Sequence, residues 1–425
     1  MLKKEKLLGL SKNIFFILVF LIPVNLGKHY EIFSSYVGGI LIDYLVPTIF
    51  VQDILVFLII LLWVLNGGFK KLFSSKIELF EKKEIQLSFL FLFSLFISTF
   101  VSDRFIPSIY AWLRMFLYFC LFIYVLVEIN VEDNYFKILD ITSFSVFLLS
   151  LLAIIQFLKQ GSVFNNYLIL GEQPYSAGVF GIARENIFGK NIIPAYGLFR
   201  HPNAFGGYLA ITLAWLFCFL KKRKFYIVAF LLGFVSIILT FSYISWLALV
   251  AAIIFHQIFS KNPSKIRKHK KGAVFVVLVM FLFSLAMPLI NKFNLNLENN
   301  RSITRRIDFT SASYRMIKDN FLFGVGLNNF TVFVDKYNYD SSDIRFSQPV
   351  HNIFLLIFSE SGVFAFLLIL SFIGFSLKRL VNSSYFHVFL ISVLQIILLG
   401  SFDHYLITMH QTLLLFWLIF GLGLQ

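Results

Sequence analysis

Long apolar runs recur along nearly the whole of this 425-residue chain, separated by short clusters of lysine and arginine. As a helix, a segment crossing a hydrocarbon core of ~30 Å needs about 20 mostly apolar residues. About twelve segments approach that length, near 13–27, 50–66, 85–101, 107–129, 138–157, 203–220, 225–240, 244–258, 273–290, 351–377, 385–401 and 405–423. Lipid offers backbone polar groups no partners, so spanning segments are helices or closed barrels, and these runs are too long and continuous for barrel strands. The chain reads as an all-α polytopic membrane protein, with residues 1–425 as a single integral membrane domain. Only 14% of residues are charged, against about a quarter in soluble domains, which leaves little room for a separate soluble domain.

The basic clusters set an orientation through the excess of lysine and arginine on cytoplasmic loops. Lys3, Lys4, Lys6 and Lys12 precede the first run; Lys70, Lys71, Lys76, Lys82 and Lys83 follow the second. Lys221-Lys222-Arg223-Lys224, the run from Lys261 to Lys271, and Lys378-Arg379 come later. All fall on one side if the alternation holds, which places both termini in the cytoplasm. The net charge of +15 is thus spent on topology and excludes nothing but a nucleic-acid reading. The basic start and apolar run Asn13 to Val24 mimic a signal peptide, but no small-residue cleavage site follows, so this is taken as the first span. The segment 33–49, with Asp43, does not fit the alternation and reads as a re-entrant or interfacial piece. Cys120 and Cys218 both lie in apolar runs, so neither a disulfide framework nor a cysteine metal site is expected.

Polar chemistry gathers in two longer loops, 158–202 and 291–350, both on the outer face. The first carries Glu172, Arg184, Glu185, Lys190 and Arg200-His201-Pro202-Asn203. The second carries Arg301, Arg305, Arg306, Asp308, Arg315, Lys318, Asp319, Asp335, Lys336, Asp340, Asp343 and Arg345. Arginine binds phosphate through a rigid, permanently charged fork, and positive charge on the outer side opposes the topology rule. Arg301, Arg305 and Arg306 read equally well as partners of Glu298 and Asp308. Arg315 sits on a short amphipathic helix ending at Asn320, before a tight turn through Gly324 and Gly326. That Gly-Val-Gly is no dinucleotide fingerprint, since no strand precedes it. His351 opens a helix after Pro349, as a general base or as a helix-entry cap. Arg114 reads as reaching a lipid phosphate or snorkelling outward, Glu360 as a helix-packing brace, and Asp403-His404 as a solvated outer turn.

These segments resemble a known family. Gly197-Leu198-Phe199-Arg200-His201-Pro202-Asn203-Ala204-Phe205-Gly206-Gly207, Leu239-Thr240-Phe241-Ser242-Tyr243-Ile244-Ser245-Trp246-Leu247, Arg315 with Phe323-Gly324-Val325-Gly326-Leu327-Asn328-Asn329-Phe330, and Pro349-Val350-His351-Asn352 through Glu360-Ser361-Gly362 resemble, in order, four elements of the O-antigen ligase and polymerase superfamily. The resemblance implies a GT-C-like fold with its active site in the large extracytoplasmic loop. It implies a glycosyltransferase of the bacterial cytoplasmic (inner) membrane, moving an undecaprenyl-pyrophosphate-linked saccharide to a glycan, lipid or protein acceptor in surface polysaccharide synthesis. No metal and no cofactor are implied. His351 would serve as base and Arg315, helped by Arg200, would stabilise the departing pyrophosphate. His201, Asn203, Arg184, Tyr243 and Asn352 would contact donor or glycan. Tyr243 stands where the family has an arginine thought to grip the pyrophosphate; Arg200 or Arg184 would replace it in space. A transporter of lipid-linked saccharides, since twelve spans is a common transporter number, and a non-catalytic relative, given Tyr243, are the competing readings. Inverted repeats and midplane charges, a transporter's usual marks, are not seen in the sequence.

Overall fold

The computed structural model describes residues 2–68, 81–179, 181–260, 301–338, 348–380 and 385–425, with isolated positions between 279 and 285. Lys70, Lys71, Lys76, the Lys261–Lys271 run, nearly all of the expected span 273–290, and Asp340, Asp343 and Arg345 lie outside the described residues.

The described chain is mostly helical. In order, it forms α1 (Leu2–Leu21), β1 (Gly27–His29), β2 (Tyr36–Val37), β3 (Ile40–Leu41), β4 (Thr48–Phe50), α2 (Val51–Leu65), α3 (Lys83–Phe100), α4 (Phe105–Glu128) and α5 (Val131–Lys159). Next come β5 (Glu185–Ile187), β6 (Lys190–Ile192), α6 (Pro202–Cys218), α7 (Lys224–Ile238) and α8 (Tyr243–Ser260). The chain closes with α9 (Arg301–Asp319), α10 (Phe330–Tyr337), α11 (Ile353–Leu380), α12 (Phe386–Phe402), α13 (Tyr405–Thr408) and α14 (His410–Gly423).

Four helices, α3, α4, α5 and α11, are long and apolar enough to cross a membrane. Six others have apolar helical stretches of only 10–17 residues, that of α8 being Tyr243–Ile258, about 15–26 Å at 1.5 Å per residue. The expected number of about twelve crossings is therefore not matched by helices of crossing length among the described residues. Turns shorten two of the expected runs: the segment 405–423 breaks at Met409 between α13 and α14, and 13–27 leaves its helix at Leu21 to enter β1.

Local sequence explains the helix starts that matter most. The Asn130 side chain accepts from Glu132 N at 2.8 Å to cap α5, and Pro202 occupies the first turn of α6, where its missing N–H costs nothing. Between helices in lipid, packing and interhelical hydrogen bonds carry association. Here Trp215 Nε1 on α6 donates to Ser392 Oγ on α12 at 2.7 Å, and Gln395 Nε2 reaches the Ala210 carbonyl at 2.8 Å. Trp417, Phe119 and Phe122 interlock in the centre.

The segment 33–49 forms an antiparallel excursion rather than a helix. Gly27, Lys28 and His29 pair with Phe50, Ile49 and Thr48, and β2 pairs with β3 beyond them. Inside 158–202, β5 and β6 make a second hairpin. The described part of 291–350 folds as α9 and α10. Two glycines let its Phe321–Gly326 turn lie against the break in α11: Gly324 (φ +70) and Gly362 (φ +77) are left-handed, and a Cβ on either would strike facing backbone, at Glu360 and Leu322 respectively. Val325 N then donates to Ser359 O, Gly326 N to Glu360 O and Val363 N to Phe321 O, each at 2.9–3.0 Å.

Candidate active site

The helix ends and the β1–β4 excursion enclose a cavity of about 570 Å³. Its polar end carries Arg200, His201, His351, Asp403 and His404; Phe91, Leu95, Met115, Ile357 and Leu413 line apolar wall elsewhere. A space with convergent polar groups at one end and an apolar remainder suits an amphipathic ligand.

The polar end is built by three helix termini. His201 is the N-cap of α6, and its Nδ1 accepts from Asn203 N at 3.1 Å, so the neutral ring carries its proton on Nε2. Asn352 caps α11: its Oδ1 accepts from Phe354 N at 2.9 Å and Leu355 N at 3.0 Å, and its Nδ2 donates to Ser401 O at 3.0 Å. This ties the residue after His351 to the end of α12. The Asp403 carboxylate, only 4% exposed, accepts from Asn203 Nδ2 at 3.0 Å and from His404 N at 2.8 Å. The rings of His351 and His404 meet edge-on, 5.3 Å between centroids.

Arg306, on α9, donates from Nη1 to the Phe402 carbonyl at 3.4 Å, and its Nε is buried without a hydrogen-bond partner. Its charge acts on His201, His351, Asp403 and His404 together. Burial pushes the His351 imidazole down to about 3, with the Asp403 carboxylate pulling the other way. Burial also lowers His201 and His404. For Asp403 burial works upward, but His351, His404, Arg306 and His201 outweigh it and hold the carboxyl below the usual carboxylate range. The resting group is therefore neutral imidazoles beside one carboxylate and one guanidinium.

Donor atoms of His351, Asp403 and His404 lie within 4.8 Å of one another. The sequence, which spreads these residues over more than fifty positions, gave no sign of such a cluster. The nearby Arg306 guanidinium opposes a divalent cation there and favours an anion.

A second basic edge of the cavity comes from Arg200, whose Nη2 donates to His29 Nε2 at 2.6 Å. Arg114 also lines the cavity. It does not snorkel: it pairs with Asp53 at 3.2 Å, both side chains nearly buried, while Tyr118 donates to the same carboxylate at 2.6 Å. Glu360 braces the wall. Its oxygens accept from Phe330 N at 2.8 Å and Asn328 N at 3.0 Å, and Tyr44 Oη lies 3.2 Å from each oxygen. The carboxylate thereby satisfies the first amide of α10 and one just before its N-cap, and anchors the β2–β4 excursion.

Of the residues picked out from the sequence, His351, His201 and Arg200 line the cavity, and Asn203 and Asn352 hold its rim. Arg315 is not brought there: its Nη1 donates to the Tyr337 carbonyl at 2.8 Å. Arg184 turns to the carbonyls of Ala177 and Val179 within its own loop. Tyr243 is 67% exposed and packs edge-on against Trp246. Its neighbours Ser242 and Ser245 instead press on Gly206, one turn into α6. Asp403 and His404, expected to be a solvated turn, are central. Asp-His between two apolar runs was the available signal.

No curated protein matches the chain. Residues 227–370 match the family model described as O-antigen ligase. That segment runs from α7 through His351 into α11, about a third of the chain, and it supports the likeness to the O-antigen ligase/polymerase superfamily.

Proposed function

We propose that this chain is a membrane glycosyltransferase of the O-antigen ligase or polymerase type, which transfers a saccharide from undecaprenyl pyrophosphate to an acceptor hydroxyl. The observation that carries the reading is the polar end of the cavity, where a buried histidine–carboxylate group, under the charge of the neighbouring Arg306, shares the lining with Arg200 beside an apolar wall. The saccharide-bearing pyrophosphate would lie between Arg200 and Arg306, with the prenyl chain along Phe91, Leu95 and Met115. We assign to Arg306 the part expected of Arg315, because its Nε lies buried and unbonded beside the histidines.

His351 takes the proton from the acceptor hydroxyl as its oxygen bonds to the anomeric carbon. The bond from that carbon to the pyrophosphate oxygen breaks with inversion, and undecaprenyl pyrophosphate leaves with the electron pair. The arginines stabilise the charge gathering on it. A histidine held near 3 is a weak base until the donor arrives. Two phosphate groups beside it favour its protonated form and raise its basicity. Asp403 stabilises the imidazolium that results.

The topology that accompanies this function has about twelve crossings in the bacterial cytoplasmic membrane, both termini in the cytoplasm and the cavity on the outer face. The test is purified protein in lipid, supplied with undecaprenyl-pyrophosphate oligosaccharides alone and with candidate acceptors, products read by mass. Chain growth without added acceptor marks a polymerase, and single transfer to an added lipid or peptide a ligase. A donor left unconsumed by folded protein under every condition contradicts the proposal.

A further inference from the structure

Far from the cavity, three helices bring Cys218, His256 and His387 together. Cys218 is the last residue of α6, whose first residue follows His201, so the two ends lie about 24 Å apart along the helix. His387 begins α12, whose far end leads into Asp403. His256 lies on α8, thirteen residues after Tyr243. One donor atom from each of the three falls within 4.8 Å of the others, and the imidazoles are 5.7 Å apart between centroids.

Two polar atoms at this place lack partners. His256 Nδ1 is buried with no hydrogen bond, and so is the hydroxyl of Tyr135, a residue 1% exposed whose ring lies 5.3 Å from that of Phe219, next in sequence to Cys218. Aromatic rings surround the group: Phe217 stands edge-on to His256 at 5.7 Å and Phe219 lies 6.1 Å from His387. Cys218 is a free thiol. A buried, unbonded ring nitrogen beside a thiol and a second imidazole is the donor set of a borderline-soft metal ion.

We propose that Cys218, His256 and His387 bind one zinc ion, with water or a neighbouring oxygen as fourth ligand. Ligand atoms around tetrahedral zinc stand roughly 3.5 Å apart, given bond lengths of about 2.0–2.3 Å, so modest side-chain rotations close the site. Cys218 binds as the thiolate and gives up its proton to solvent. The ion ties the ends of α6, α8 and α12 on the face opposite the cavity. Two of these helices carry His201 and Asp403 at their other ends.

The test uses full-length protein purified in detergent without a polyhistidine tag, stripped of metal and titrated with Co²⁺ and then Zn²⁺. One cobalt ion per chain is expected, with a sulfur-to-cobalt charge-transfer band that zinc abolishes. Cys218→Ser removes the band, His256→Ala weakens binding at least tenfold, and Cys120→Ser changes neither. Zinc should raise the thermal midpoint of the wild type and of Cys120→Ser only. No band in the wild type, a band surviving Cys218→Ser, or metal lost with His404→Ala instead would overturn the proposal. Because the readouts are metal binding and stability, the outcome is independent of whether the cavity transfers glycan.

Discussion

The amide of Asn203 and the carboxylate of Asp403 meet at 3.0 Å, two hundred residues apart in the chain. This bond fastens the start of α6 to the turn after α12 and fixes where the single carboxylate of the histidine group sits. Asp403→Asn keeps the size but removes the charge that, in the proposed mechanism, offsets the proton taken up by His351. Transfer is expected to fall about tenfold or more, within the range that general-base catalysis contributes, while the protein folds and binds donor. The check is the transfer rate at saturating donor beside a donor-binding measurement.

Arg306 and Arg315 separate cleanly. Arg306→Ala should lower transfer by roughly 10²–10³, the usual loss when a donor aimed at developing negative charge is removed. Arg315→Ala, whose guanidinium holds the Tyr337 carbonyl, should cost stability before activity. Turnover numbers for the two variants, with thermal midpoints, decide between them.

The pH dependence follows from burial. His351, His201 and His404 all lie below the ordinary histidine value of 6.5, His351 down to about 3. Between those values the unfolded chain binds more protons than the folded one, so stability is full above 6.5 and drains as pH falls toward 3. Asp403, held low, removes a further share below the ordinary 3.8. The thermal midpoint should therefore drop on acidification from neutral pH. It should drop less in His351→Asn, which does not titrate. The acid limb of kcat/KM, which reports the free enzyme, should lie below 6.5.

Glu360→Gln retains one good acceptor and turns an amide N–H₂ toward a backbone N–H of α10. One buried donor goes unpaired, which costs about 1–3 kcal/mol. Gly362→Ala should be worse, because its Cβ meets the Leu322 carbonyl and its φ is +77. Unfolding in detergent measures both.

Much of this was legible in the sequence, in ways that can be stated physically. Apolar runs gave the helices, since only helical backbone is satisfied in lipid. They did not give crossing lengths: the turn at Met409 carries no strong breaker, and Pro23, which ends α1 near Leu21, lies within an apolar run taken as one span. His-Pro-Asn and Pro-Val-His-Asn announced two capped helix starts, and those caps set His201 and His351 at the cavity. The sequence singled out Arg315, and that Arg306 is the one lying beside the histidines was beyond it. The two are nine residues apart on α9, which at about 100° per residue puts them on opposite faces, and nothing local says which face is inward. Asp403 and Cys218 were passed over for the same reason: their partners lie on helices that only packing brings near.

The most direct test of the account is transfer by His351→Ala in lipid, with an undecaprenyl-pyrophosphate oligosaccharide donor and a working acceptor. The account predicts nearly intact donor binding and a rate lower by about two to four orders of magnitude. A turnover equal to that of the wild type would remove His351 from the base role and, with it, the reading of this cavity as the place where the glycosidic bond is made.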